Sequence, residues 1–288
     1  MTTYLVTGAS GQLGQLVIDH LATLVAPSDI IALVRSDAAA AAYAEKGIAT
    51  RRGDYDDAAS LEAAFAGVDR LLLISSSAIG QRVPQHGNVI KAAKAAGVGF
   101  IAYTSLLGGP DNPMLIAQEH IATEKMLAES GIAYTLLRNG WYLENFLMGV
   151  PQALASGQHY GASGEGKFSA ATRNDYAEAA AVVLAGGHDG ETLELGGDEA
   201  FTMGEFIEAL SGLSGTPVTF VNIPEDALKG GMMQAGLPEP VAAILADGDA
   251  KAANGTLFND SKTLSKLIGR PTTSYRQVIK AALEAEHA

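Results

Sequence analysis

TYLVTGASGQLGQLVIDHLA, residues 3–22, decides how the chain is read. Tyr4, Leu5, Val6 and Thr7 form a short apolar run of strand-forming residues. Gly8, Gly11 and Gly14 follow at the spacing G-x-x-G-x-x-G, and Leu13, Leu16, Val17 and Leu21 then recur at helical spacing. The pattern predicts a strand that turns sharply into a helix through a glycine loop. Such a loop aims backbone N–H groups and the positive end of a helix at an anion. Gly8 permits the tight turn, Gly11 lets a pyrophosphate approach the backbone, and Gly14 lets the helix pack close to the strand. A glycine triplet is also an ordinary turn in a ligand-free α/β domain. Its place after a strand and at the opening of a helix is what points to a dinucleotide.

The 288 residues suffice for a large core and one or two domains. Apolar residues make up 48% and charged ones 18%, a balance that specifies a folded globular protein. A net charge of −13 argues against nucleic acid or an anionic membrane as the main partner. The absence of cysteine excludes disulfides, thiol catalysis and zinc–thiolate sites. No basic segment with an apolar signal precedes the first strand, so the cytoplasm is the expected compartment. No apolar run approaches membrane-spanning length, and no metal is expected.

Residues 29–34 read as a second buried strand that closes on Arg35. An acidic residue there would bond the 2′-hydroxyl of NAD, whereas an arginine suits the 2′-phosphate of NADPH. The alternative is that Arg35 is a solvated surface charge and Asp37 faces the ribose. A helix over 37–46 stops at Gly47, and a strand over 48–53 runs into Asp54, which either lies near the adenine or caps the helix ending at Ala66. The fourth strand, 68–74, ends in Ser75, Ser76 and Ser77, small polar residues where doubly wound sheets bind ligands. A helix over 85–96 stops at Gly97, and the fifth strand, 100–105, ends in Thr104 and Ser105. A helix over 115–130 carries His120, Glu124 and Lys125, and a sixth strand, 133–137, leads into Arg138, Asn139, Gly140, Trp141 and Tyr142. Aromatics just past a strand end either wall a flat ring-binding pocket or make a plain core contact.

Alternating strands and helices specify a Rossmann-type, doubly wound parallel sheet. Beyond residue 150 the pattern loosens: short strands, a helix from about 172 to 184 with Asn174 or Asp175 near its cap, and a helix over 201–213 whose Thr202 and Glu205 form a capping box. Two helices broken at Pro238 and Pro240 and a last helix over 274–286 complete the chain. The expected division is a dinucleotide-binding domain over 1–150 and a smaller α+β substrate lobe over 151–288, with a crossover of the chain between them and the cleft as the substrate site.

VTGASGQLG, ALVR, GDYDD, LLLISSS, FIAYTSLL, EHIATEKMLAESGI, YTLLRNGWYLEN and NDSKTLSKLIG together resemble the NmrA-like branch of the atypical short-chain dehydrogenases, over essentially the whole chain. Among its members the quinone reductases look most similar, with the triphenylmethane and azo dye reductases next. The resemblance implies a two-electron reductase that uses NADPH without a flavin. Gly8, Ser10, Gly11, Gln12 and Leu13 would lie on the pyrophosphate, Ser10 standing where the family usually has Thr. Arg35 would hold the 2′-phosphate. Asp54, Ser75, Ser76, Ser77, Gln81, Arg82, Thr104, Ser105, Asn139, Gly140, Trp141 and Tyr142 would line the cofactor. A quinone or similar flat electrophile would enter near Leu107, Tyr142 and Phe146.

None of the nine tyrosines has a lysine four residues on, so the Tyr-x-x-x-Lys chemistry of alcohol dehydrogenation is not expected. A quinone does not demand it, because orienting two rings supplies much of the catalysis. Lys125, His120 and Tyr142 are the candidate catalytic residues. Lys125 would steady developing charge and His120 would donate a proton. Alternatively Lys125 contacts only the ribose and His120 sits on the helix surface. A second class stays open: a sensor that binds the dinucleotide and a regulatory partner without turnover. A homodimer is the expected assembly.

Overall fold

The computed structural model of the chain describes residues 2–286. β1 (Tyr4–Val6) is fully buried and passes through the glycine loop into α1 (Gln12–Leu24). β2 (Ile30–Val34), α2 (Asp37–Ala44), β3 (Ala49–Arg52), α3 (Ala58–Phe65), β4 (Arg70–Leu73), α4 (Arg82–Ala96), β5 (Phe100–Leu106), α5 (Ala117–Ser130) and β6 (Ala133–Asn139) follow in strict alternation. The strands pair in parallel in the order β3-β2-β1-β4-β5-β6. The order reverses between β1 and β4, which is where a doubly wound sheet opens a crevice at its carboxyl edge.

Alternate strand residues face opposite layers. Leu5, Ile31, Leu33, Leu71, Leu73, Ile101 and Tyr103 pack with Leu61 and Phe65 of α3, Val89 and Ile90 of α4 and Leu127 of α5. The second half supplies α6 (Leu143–Leu147), α7 (Val150–Ser156), β7 (Gln158–Gly161), β8 (Lys167–Phe168) and α8 (Arg173–Ala185), which packs along α1. Then come β9 (Thr192–Leu195) at the sheet edge, β10 (Phe201–Thr202), α9 (Met203–Ser214), β11 (Thr219–Asn222), α10 (Glu225–Gln234), α11 (Glu239–Ala252), α12 (Thr263–Ile268) and α13 (Tyr275–Glu286). The chain divides into two compact units: residues 1–109, 119–139 and 173–193 form one, and residues 110–118, 140–172 and 194–288 the other.

Several elements differ from their sequence reading for local reasons. α4 begins at Arg82 rather than 85, because Pro84 sits in the first turn, where its missing N–H costs nothing. Pro240 likewise lies in the first turn of α11 and breaks nothing. Asp57, not Asp54, caps α3, accepting from the N–H groups of Ala59 (3.1 Å) and Ser60 (3.2 Å). Thr202 does form the capping box with Glu205, but Phe201 and Thr202 pair as β10 with β8, so α9 starts at Met203. The short helices α6, α7 and α12 have no sequence counterpart above.

Candidate active site

The loop from Gly8 to Gly11 is built so that backbone, not side chains, lines its outer face. Gly8 adopts φ +58°, a left-handed conformation that a side chain rarely tolerates. Gly11 N–H donates back to the Gly8 carbonyl at 2.9 Å, closing the turn. A Cβ on Gly14 would stand 2.3 Å from the Gly8 carbonyl oxygen and 2.8 Å from the Ala9 Cα, so only glycine lets α1 approach the loop. Gly11 is the N-cap of α1 and offers no side chain, and the first turn carries no acid. The positive helix end is therefore uncapped beside the exposed Gly8, Ser10, Gly11 and Gln12, while Leu13 turns into the core. These features fit a pyrophosphate.

Tyr43 of α2 was not flagged by the sequence. Its buried hydroxyl donates to the Ala9 carbonyl at 2.5 Å and pins the loop from behind. Burial, helped by the charge of Asp19, pushes its pKa up to about 12, so it stays a donor. Arg35 is exposed just past β2 and pairs with no carboxylate among the described residues. Asp37, the alternative ribose partner, is held by Arg52 at 2.8 Å in solvent. Asp54 is half-buried and accepts from the Asp56 N–H at 3.1 Å.

The segment after β4 is held by side chains rather than by a neighbouring strand. Thr7 Oγ1 accepts from Ile74 N–H (3.0 Å), and the Tyr55 hydroxyl donates to the Ile74 carbonyl (2.8 Å). Thr104 Oγ1 accepts from Ser75 N–H (2.8 Å). His86 Nε2 accepts from Ser76 N–H (2.9 Å), and Arg82 Nε donates to the Ser76 carbonyl (2.6 Å). Arg82 also lies 3.6 Å from Glu119. Thr104 and Arg82 are buried supports, whereas Ser75 and Ser76 are half-buried and Ser77 and Gln81 exposed.

Ser105 and Arg138 are register partners at the ends of β5 and β6. Both reach Glu124 of α5: Ser105 Oγ donates to Oε1 at 2.6 Å, and Arg138 donates from Nε (2.9 Å) and NH2 (2.7 Å). The guanidinium rests on Gly109, where a Cβ would fall 2.1 Å from Arg138 Cζ. Asn139 is buried, and its Oδ1 has no hydrogen-bond partner.

α5 also carries two of the catalytic candidates. Lys125 is 76% exposed and lies 3.9 Å from Glu129 in solvent, so it does not join this cluster. His120 is not on the surface: it is buried, and its Nδ1 shares a 2.7 Å hydrogen bond with the Tyr103 hydroxyl. Burial, with the nearby Arg82 charge, lowers its pKa to about 3, and His86 is lowered to about 3 for the same reasons. Both rings are neutral when folded, while the unfolded chain would protonate them near 6.5. The unfolded state then binds more protons below pH 6.5, so stability is full above that pH and falls through the window down to about 3. The expected slope is roughly 1.4 kcal/mol per pH unit for each ring. Denaturant titrations between pH 7.5 and 4.5 check this; a flat profile would contradict it.

Within the second unit, Trp141 packs on α11, where a Cβ on Gly248 would lie 3.4 Å from its ring. Gly140 is buried and donates to the Leu195 carbonyl at 2.9 Å. Tyr142 is half-buried and bridges to Ala171. Phe146 belongs to an aromatic cluster, its ring centroid 5.1 Å from Phe168, 5.3 Å from Phe201 and 5.6 Å from Phe206. Leu107, in the first unit, is only 2% exposed and donates its N–H to the Asn139 carbonyl at 3.0 Å. Leu107 and Phe146 are thus packing residues in this structure.

A model of one family spans this whole arrangement, matching residues 2–269. The chain belongs to the NmrA-like family. Quinone oxidoreductase 2 of Escherichia coli (strain K12) is 54% identical over 275 residues, 95% of this chain and 96% of its own. A crystal structure of NADPH-dependent quinone oxidoreductase from Escherichia coli with NADPH superposes at TM-score 0.95 and 52% identity, covering 99% of this chain and 100% of the other. Triphenylmethane reductase of Citrobacter sp., in complex with NADP(H), superposes at TM-score 0.93 and 38% identity over 97% of this chain and 100% of its own. In this NmrA-like chain the supports missed from sequence are Tyr43, Tyr55 and His86, and Glu124 was noted on its helix without a role. Glu124 and His86 stood in helical runs with no local signal of the strand ends they serve.

Proposed function

We propose that the protein is a reductase that takes two electrons from NADPH and delivers them to a quinone without a flavin. The observation that carries this reading is 54% identity, from end to end, to quinone oxidoreductase 2 of Escherichia coli. The glycine loop fits the cofactor, because the left-handed turn at Gly8 and the close approach of Gly14 to the Gly8 carbonyl bring an uncapped helix end and bare backbone to one exposed face. Bound NADPH supplies a hydride. Gly8, Ser10, Gln12 and Leu13 hold the pyrophosphate with backbone N–H groups and the helix end, and Gly11, whose own N–H closes the turn, lets it come close to the backbone. Arg35 holds the 2′-phosphate by charge-assisted hydrogen bonds. Asp54 serves the adenine side, and Ser75, Ser76, Ser77 and Gln81 form the opposite lip. Thr104, Ser105 and Arg82 are engaged within the protein and shape the site from beneath.

A quinone is already electrophilic, and the phenolate formed from it is a modest base. Orientation therefore carries most of the catalysis, and solvent suffices as the proton source. His120, neutral and buried, and Lys125, in solvent, take no part in this reading. Tyr142 is retained as the acceptor-side aromatic. The cytoplasm is the compartment and a homodimer the assembly in this proposal, and light scattering tests the second. Dye reduction is the second reading, supported by the 38% identity to the Citrobacter enzyme. A sensor would bind NADPH and turn over no acceptor.

Arg35→Ser tests the cofactor assignment. It is expected to raise KM for NADPH by roughly 10- to 100-fold, the worth of hydrogen bonds to a charged group. KM for NADH should stay near the wild-type value. An unchanged preference would contradict Arg35 as the phosphate clamp.

A further inference from the structure

Ser76 has both main-chain polar groups held by side chains of one helix, α4: His86 takes the N–H and Arg82 serves the carbonyl. His86 is wholly buried, with its ring edge-on to Tyr103 at a centroid distance of 5.5 Å. Two contacts fix where its proton lies. Nε2 accepts the Ser76 N–H, so it carries no hydrogen. Nδ1 lies 2.9 Å from Thr123 Oγ1, whose own hydroxyl is committed to the Glu119 carbonyl at 2.8 Å. Nδ1 therefore bears the hydrogen and donates it. The relay has one consistent direction, from Ser76 through His86 and Thr123 to Glu119.

We infer that His86 is a positioning residue for cofactor binding: held as its neutral Nδ1–H tautomer, it fixes the Ser76 peptide and with it the lip that faces the glycine loop. The inference rests on the NADPH reading. The lip and the loop share a wall, since a Cβ on Gly8 would meet Ile74 Cβ at 3.4 Å. They also flank the crevice where the strand order reverses between β1 and β4. The other tautomer, or a protonated ring, would aim N–H at N–H at Ser76, and the peptide would have to turn. His86 has no exposed surface, so it acts only through Ser76.

The test uses the full-length protein and three variants: His86→Leu, His86→Gln and Thr123→Val. Nitrogen-15 NMR of the unligated protein should show a pyrrole-type Nδ1 and a pyridine-type Nε2 at His86, and a tautomer mixture in Thr123→Val. NADPH titrated by fluorescence should bind about tenfold more weakly to His86→Leu, which leaves the Ser76 N–H without its acceptor. His86→Gln, which returns an acceptor oxygen, should recover affinity to within about threefold of wild type, and KM for a quinone should not move. A hydrogen on Nε2 in the wild type overturns the inference, as does wild-type NADPH affinity in a folded His86→Leu. Should His86→Leu fail to fold, the tautomer and affinity of Thr123→Val decide. Should the wild-type protein itself ignore NADPH, the functional reading fails and takes the inference with it. Normal NADPH binding by every variant overturns the inference alone.

Discussion

Gly14→Ala is expected to weaken NADPH binding by tenfold or more and to destabilise the fold by about 1–3 kcal/mol, the usual cost of overpacking. The added methyl would stand 2.3 Å from the Gly8 carbonyl oxygen and 2.9 Å from its carbon. These are backbone atoms of the loop itself, so no side-chain rotamer relieves the clash. Either α1 withdraws or the loop closes into the space proposed for the pyrophosphate. Gly212→Ala is the control of opposite sign. Gly212 lies within α9 with open space around its would-be Cβ, so alanine should stabilise by up to about 1 kcal/mol. Denaturant melts and NADPH titrations of both variants check the pair. Equal behaviour at the two positions would show that the loop yields more readily than its geometry implies.

Glu124→Gln should cost about 3–5 kcal/mol, the usual penalty for removing one member of a buried ion pair. The Glu124 side chain is 9% exposed and that of Arg138 14%, and the pair is bidentate. Glutamine keeps the shape but removes the charge that Arg138 faces. The double variant Glu124→Leu with Arg138→Met should recover much of the loss, because two apolar side chains leave no charge uncompensated. Chemical denaturation of Glu124→Leu, Arg138→Met and the double variant measures the coupling. A double variant as unstable as the sum of the singles would mean that the two residues act independently.

The glycine loop was legible because its chemistry is local: three glycines within seven residues, read against the strand and helix on either side. The capping box of Thr202 and Glu205 was legible for the same reason, since both partners lie within one turn. The supports behind the loop were not. Tyr43 meets Ala9 across 34 residues, and Tyr55 meets Ile74 across 19. Glu124 and Lys125 are neighbours in sequence, yet one points to the strand ends and the other to solvent. α5 has only weak apolar periodicity, so its buried face was set by packing rather than by pattern. His120 resembled an acid on a helix until its partner proved to be a buried tyrosine. Asp54 lost the capping role to Asp57 because the turn at 54–57 brings the later carboxylate to the first N–H groups of α3.

The most direct measurement is the initial rate of NADPH oxidation by the purified protein with a simple benzoquinone, beside matched runs with NADH and without quinone. The expected result is rapid, quinone-dependent loss of NADPH, much slower loss with NADH, and almost none without the acceptor. Binding of NADPH with no acceleration by quinone would contradict the reductase reading and favour the sensor.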